Sequence, residues 1–116
     1  MNSPTAIRDY RPLIPRMVDA LVERFHPIQV VLFGSYARGD FGPDSDVDFM
    51  LVLPNAELPE GKLRRRKNIE ARGVLGEFPC PSDVIVTTAS ELNQYRDVVG
   101  YVFRPALLEG KVVYER

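Results

Sequence analysis

The sequence predicts an α/β (α+β) fold, a small mixed β-sheet with helices packed on it. Two observations predict it. Apolar residues at helical spacing alternate along the chain with short, partly β-branched apolar runs. The resulting order is αβαβαβαβ, which calls for one sheet covered by helices. Length sets the scale: 116 residues fit one domain, expected to span 1–116, and leave little room for a second core.

The first helix is expected where Ile14, Met17, Val18, Leu21, Val22 and Phe25 fall at i, i+3, i+4, i+7. Pro12 and Pro15 suit its first turn, and Pro27 ends it. Gln29-Val30-Val31-Leu32-Phe33 reads as a buried strand. It runs into Gly34-Ser35-Tyr36-Ala37-Arg38-Gly39, a turn and a short helix, and then a loop at Gly42, Pro43 and Asp44. Asp46 to Leu53 is the second strand, closed by Pro54. A helix from about Glu60 to Phe78 follows, weakened by Gly73 and Gly76. Ser82 to Thr88 is the third strand. Thr88 and Glu91 have the capping-box spacing that opens a helix carrying Leu92, Tyr95, Val99 and Val102, interrupted at Pro105. Gly110 stops it, and Lys111 to Tyr114 form a last strand.

Composition excludes several classes. The chain is 45% hydrophobic and 27% charged, ordinary for a globular protein. A net charge of -1 argues against broad electrostatic binding of nucleic acid, so direct nucleic-acid binding is not expected. One cysteine, Cys80, cannot form an internal disulfide and reads as a small residue near a strand start. The opening MNSPTAIRDYRPLIP is too polar and proline-broken for a signal peptide, and no apolar run approaches a membrane span. A cytoplasmic protein without membrane contact is expected.

Three features carry chemistry. Gly34-Ser35 lies between a strand and a helix, where glycine admits close backbone approach and unpaired N–H groups and a hydroxyl suit a phosphate. By itself such a pair is an ordinary turn. Asp46 and Asp48, at i and i+2 of a strand, share one face and repel each other. A solvated edge strand with chance acids is the bland alternative. A hard cation explains the pair better, because Mg²⁺ binds through a few carboxylates and substrate phosphates. Asp83 opens the next apolar strand. It joins the pair if the two strands are neighbours, and is otherwise a surface acid.

GSYARG, a short loop and SDVDF together resemble the DNA polymerase beta-like nucleotidyltransferase superfamily, in particular its minimal (MNT) group. Gly34, Ser35, Arg38, Gly39, Ser45, Asp46 and Asp48 match that pattern, and Asp83 matches the third carboxylate. The ending from Leu108 to Glu115 also looks like the close of these small domains, so the likeness covers almost the whole chain. The resemblance implies the polymerase beta-type palm fold. It implies two Mg²⁺ ions held by Asp46, Asp48 and Asp83, ATP as nucleotide donor, and Gly34 and Ser35 at the departing phosphates. Attack by a hydroxyl on the α-phosphate would release pyrophosphate, with Asp83 placed to take the proton. Arg38 has two open readings: it reaches a phosphate, or it pairs with a nearby Asp and holds the loop.

Larger relatives add a further acceptor-binding domain, which a single domain of this size is not expected to hold, so the acceptor is expected to be held by another molecule or subunit. In the MNT group the implied partner is a HEPN-domain RNase toxin, modified with AMP on a tyrosine by its antitoxin; homo- or hetero-oligomers are compatible with this. A small acceptor such as an aminoglycoside and a non-catalytic antitoxin that occludes its toxin are the alternatives. The run Lys62 to Lys67 covers nearly every direction of a helix, so at least one of Arg64 to Lys67 must lean over the domain or pair with an acid. The rest form a solvated face or meet an acidic partner or the triphosphate. His26 reads as a helix-end residue.

Overall fold

A computed structural model describes residues 9–55, 62–95 and 109–116. Helix α1 (Ile14–Phe25) follows a single 3₁₀ turn at Arg11–Leu13 and buries Met17, Val18, Leu21 and Phe25, the stripe its spacing predicts. It ends at His26, which adopts the left-handed conformation (φ 47°) while its N–H donates to the Val22 carbonyl at 2.8 Å. Pro27 then blocks any continuation.

Strands β1 (Gln29–Phe33), β2 (Val47–Leu53), β3 (Ser82–Thr88) and β4 (Lys111–Glu115) form one mixed sheet in the order β3-β2-β1-β4. β1 is antiparallel to both β2 and β4, whereas β2 and β3 are parallel. The parallel pair needs a crossover, and α3 (Lys62–Leu75) lies between those strands in the chain. The two ladders at β2 bring Phe33 opposite Asp48 on one side and Asp83 opposite Asp48 on the other.

Both sheet faces are covered, so β2 lacks a solvated face along most of its length. Val30, Leu32, Phe49, Leu51, Leu53, Val84 and Val86 meet α1, together with Ala71 and Leu75 of α3. Val31, Met50 and Val52 point the other way, against Leu92 of α4 (Ala89–Tyr95). Burying one large aliphatic or aromatic side chain contributes about 1.5–3 kcal/mol, so this double-sided strand is the stable foundation for what stands at its start.

The cap predicted at Thr88 is present: the Glu91 N–H donates to Thr88 Oγ1 at 3.2 Å. The Glu91 carboxylate does not complete the box. It accepts from the Thr87 hydroxyl at 2.6 Å and pairs with Arg64, which also donates to the Val86 carbonyl at 2.8 Å. Arg64 therefore links α3 to the end of β3 and to α4.

Three expected boundaries differ. β2 begins at Val47, so Asp46 stands just outside the strand. α3 ends at Leu75 rather than Phe78, because Gly76 introduces a turn in which the Phe78 N–H reaches the Leu75 carbonyl at 3.1 Å. β4 extends one residue further, to Glu115. Glu60 and the expected helical continuation through Val99, Val102 and Pro105 lie outside the described residues.

Candidate active site

The site begins where β1 hands over to the short helix α2 (Ser35–Arg38). Gly34, between them, has φ 74° and ψ -157°, a conformation that residues with a side chain rarely adopt. A Cβ there would lie 2.3 Å from Asp48 Oδ2. Glycine thus does two things: it permits the turn, and it lets the backbone press against a carboxylate. The Gly34 carbonyl accepts from the Ala37 and Arg38 N–H groups, both at 3.1 Å, which closes the turn of α2. Tyr36 and Ala37 are buried, and the Tyr36 ring stacks on Phe41 with centroids 4.2 Å apart. The Tyr36 hydroxyl also accepts from the Tyr10 N–H at 3.2 Å. Among the described residues, the half-buried Ser35 hydroxyl has no partner.

Asp46 and Asp48 flank the buried Val47 at the mouth of β2. Two bonds fix the approach: the Gly42 N–H donates to Ser45 Oγ at 2.8 Å, and the Val47 N–H donates to the Pro81 carbonyl at 2.9 Å. The second ties this corner to the start of β3. Asp48 is half-buried, and burial pushes its pKa up from 3.8 to about 6; the negative charges of Asp46 and Asp83 add to the rise, while Arg38 opposes it. The Asp48 carboxylate is therefore held in a place that disfavours its charge.

Asp83 is in register with Asp48, but its carboxylate is otherwise engaged. Asp83 Oδ1 accepts from the Val84 N–H at 2.9 Å and meets Arg72 Nη2 at 3.2 Å. Among the described residues, no three His, Cys, Asp or Glu side chains stand close enough to hold a metal ion together. Asp46 and Asp83 both stand near enough to Asp48 for their charges to act on it, with Asp83 in register beside it and its Oδ1 facing Arg72. The pair of Asp46 and Asp48 still suits Mg²⁺, which keeps several waters and takes the rest of its oxygens from substrate phosphates.

Arg38 pairs with Asp40 at 3.2 Å and with Glu109 at 2.9 Å. These two acids hold it against the loop, which is the pairing geometry of its two readings. Arg64 leaves the expected basic surface through its bonds to Glu91 and Val86, and the Lys67 ammonium lies 5.7 Å from the Phe25 ring centre. Arg65 and Arg66 are exposed. Burial raises the Cys80 thiol pKa, with a further push from Asp46, so it stays protonated and unsuited to attack. Sequence reasoning missed Arg72, which falls in no motif, and gave Glu109 no role beyond its place in the ending from Leu108 to Glu115.

A cleft of about 570 Å³ lined by Ala20, Glu23, Arg24, Glu70, Gly73, Val74 and Glu77 contains none of these residues. Its three glutamates would repel a triphosphate. No helix among the described residues is long and apolar enough to cross a membrane.

Comparison with known proteins bears on the family and the fold. Residues 14–103 match the nucleotidyltransferase domain family. A Methanocaldococcus jannaschii protein provisionally named protein adenylyltransferase MJ0604 is 37% identical over 54 residues, 45% of this chain and 47% of the relative. The match thus spans about half the length of that relative. Among solved structures, a Sulfolobus solfataricus protein provisionally described as a nucleotidyltransferase aligns with a TM-score of 0.61 and 22% identity over 90% of this chain and 79% of its own. A toxin–antitoxin structure with AMP-PNP aligns with a TM-score of 0.51 and 19% identity over 87% of this chain and 73% of its own. Both likenesses concern the fold.

Two outcomes follow from Gly34 and Asp48. Gly34→Ala should cost at least about 1–3 kcal/mol for its backbone conformation, and more for its overlap with Asp48. In an Asp48→Ala background the overlap is gone, so urea unfolding of the four proteins should show a coupling of about 1 kcal/mol or more. Equal costs in both backgrounds would mean that the backbone does not press on the carboxylate. The second outcome concerns pH. The folded state holds the Asp48 proton up to about pH 6, whereas the unfolded chain releases it near 3.8. Stability contributed by the protonated form is present below the lower value and is lost as pH rises through the higher one. Metal-free parent protein should therefore lose stability relative to Asp48→Asn between about pH 4 and 6, and parallel curves would contradict the burial argument.

Proposed function

Since the chain belongs to the nucleotidyltransferase domain family, we propose that it transfers AMP from ATP to a tyrosine hydroxyl of a HEPN-domain RNase toxin and so acts as its antitoxin. The observation that carries the reading is the Gly34 backbone set against Asp48, with Asp46 beside it, at the mouth of a buried strand. Such a corner suits a triphosphate and its cations. The protein acceptor is supported by the name of the archaeal relative, and the toxin by the toxin–antitoxin structure that shares the fold.

Asp46 and Asp48 hold the cations, and Asp83 joins them. Two Mg²⁺ ions supply charge neutralisation on the triphosphate and a lower pKa for the attacking hydroxyl. Gly34 offers close backbone approach to the departing phosphates, and Ser35 offers a hydroxyl donor. Arg38 orders α2 and its loop through Asp40 and Glu109. The acceptor oxygen forms a bond to the α-phosphorus as the α–β bridge breaks. Pyrophosphate leaves with the bonding electron pair, and the hydroxyl proton passes to Asp83 or to solvent. The acceptor ends as a tyrosyl-AMP phosphodiester.

The reading is tested with ATP carrying label on either the α- or the γ-phosphate. With Mg²⁺ and the HEPN toxin, α-label should appear on a toxin tyrosine and γ-label should not. The Asp46→Asn, Asp48→Asn double variant should transfer nothing. Transfer of γ-label would mean a kinase and overturn the proposal. Absence of any transfer, with toxin neutralised by binding alone, would overturn the catalytic role.

A further inference from the structure

Asp83 and its partner carry an inference that rests on the reading above and deepens it. Three observations converge. First, the parallel register puts Asp83 directly beside Asp48, the position a third metal ligand requires. Second, its carboxylate oxygen Oδ1 is already used twice, by the Val84 N–H at 2.9 Å and by Arg72 Nη2 at 3.2 Å. Third, Asp46, Asp48 and Asp83 do not converge as a three-ligand group among the described residues. The backbone places the third carboxylate, but an arginine occupies it.

Arg72 is built for that task. It stands in the last turn of α3, between Ala71, which is buried, and Leu75, which is 1% exposed, so its Cα is fixed against the core. Its side chain is 61% exposed, so it can swing into water without opening a cavity. The partner carboxylate is 51% exposed. An exposed pair of this kind changes an equilibrium by no more than about fivefold. That strength is enough to hold an idle carboxylate and weak enough to yield to a divalent cation.

We propose that Arg72 is a positioning residue that holds Asp83 away from the metal-ligating pair until cations and nucleotide arrive, and then releases it. While the pair is intact, Oδ1 of Asp83 faces a guanidinium and the Val84 N–H rather than a metal ion. Release by Arg72 completes the site and leaves a cation at its rim, where the triphosphate carries negative charge. The site thus assembles fully only with its substrate, which limits idle metal loading.

Direct binding of Mn²⁺, in place of Mg²⁺, tests this without any turnover. Free Mn²⁺ is followed by its electron paramagnetic resonance signal with saturating non-hydrolysable ATP analogue. Four proteins are compared: parent, Arg72→Gln, Asp83→Asn and the double variant. Arg72→Gln should bind Mn²⁺ about two- to fivefold more tightly than the parent, and the metal-free protein should lose stability by no more than that same factor, because only one exposed pair is removed. Asp83→Asn should bind more weakly. In the Asp83→Asn background, Arg72→Gln should have no further effect, since the proposed action runs through that carboxylate. Arg72→Lys, which keeps charge but loses the planar fork, should lie between parent and Arg72→Gln. Equal tightening in both backgrounds would mean a through-space charge effect and overturn the proposal. Unchanged binding by Arg72→Gln, with the parent binding Mn²⁺ normally, would also overturn it while leaving the metal site standing. A parent that binds no Mn²⁺ with nucleotide would instead overturn the proposed function, and this inference with it.

Discussion

The backbone at Gly34 leaves no space for a Cβ next to the carboxylate of Asp48, and the other features of the site are arranged around that contact. It arises because β1 and β2 pair antiparallel with Phe33 opposite Asp48, so the turn that ends β1 must cross the carboxylate. A positive φ at Gly34 makes the crossing possible. The same crossing shields Asp48 from water. Burial and the neighbouring acids then raise the cost of its charge. On the proposed reading, this tension is what the cations and triphosphate relieve, so the empty site is strained and the loaded site is satisfied.

That strain is tolerable because the strand beneath it is so well anchored. Phe49, Leu51 and Leu53 pack on one face, and Met50 and Val52 on the other, all nearly inaccessible. A shift of β2 by one residue would exchange those two sets and carry the acids to the wrong face. The carboxylates are held by the core rather than by their own contacts. Arg64 completes the arrangement at the opposite end of β3, joining α3, the Val86 carbonyl and Glu91.

Much of this was legible in the sequence, for reasons that differ by residue. The stripe of Met17, Val18, Leu21 and Phe25 announces α1 because burial repeats with the helical period. Asp46 and Asp48 draw attention because like charges two residues apart on a strand have no structural benefit. Asp83 could be placed only conditionally, since neighbouring of β2 and β3 is a property of the sheet and not of either segment. The grip of Arg72 on Asp83, and of Glu109 on Arg38, was not legible. Exposed ion pairs are worth little and choose partners by proximity in three dimensions, so they leave no pattern in the chain. The irregularity between Val30 and Val31, where β4 shifts register, is likewise invisible in two uninterrupted valines. The basic run illustrates the middle case. Helical geometry requires that one of its residues turn inward, but only the fold shows that it is Arg64.

On the proposed reading, Asp46 and Asp48 are placed for cations at the expense of the empty protein. Thermal melts of the parent and the Asp46→Asn, Asp48→Asn double variant, each with and without Mg²⁺ and ATP, test it most directly. Stripped of metal, the double variant should melt at or above the parent, because two mutually repelling charges have been removed without loss of shape. With Mg²⁺ and ATP at a hundredfold excess over the dissociation constant, the parent should gain about 2.7 kcal/mol and the variant almost nothing. A metal-free variant that melts far below the parent would make the pair structural. Equal gains in both proteins would place the cations elsewhere and contradict the account.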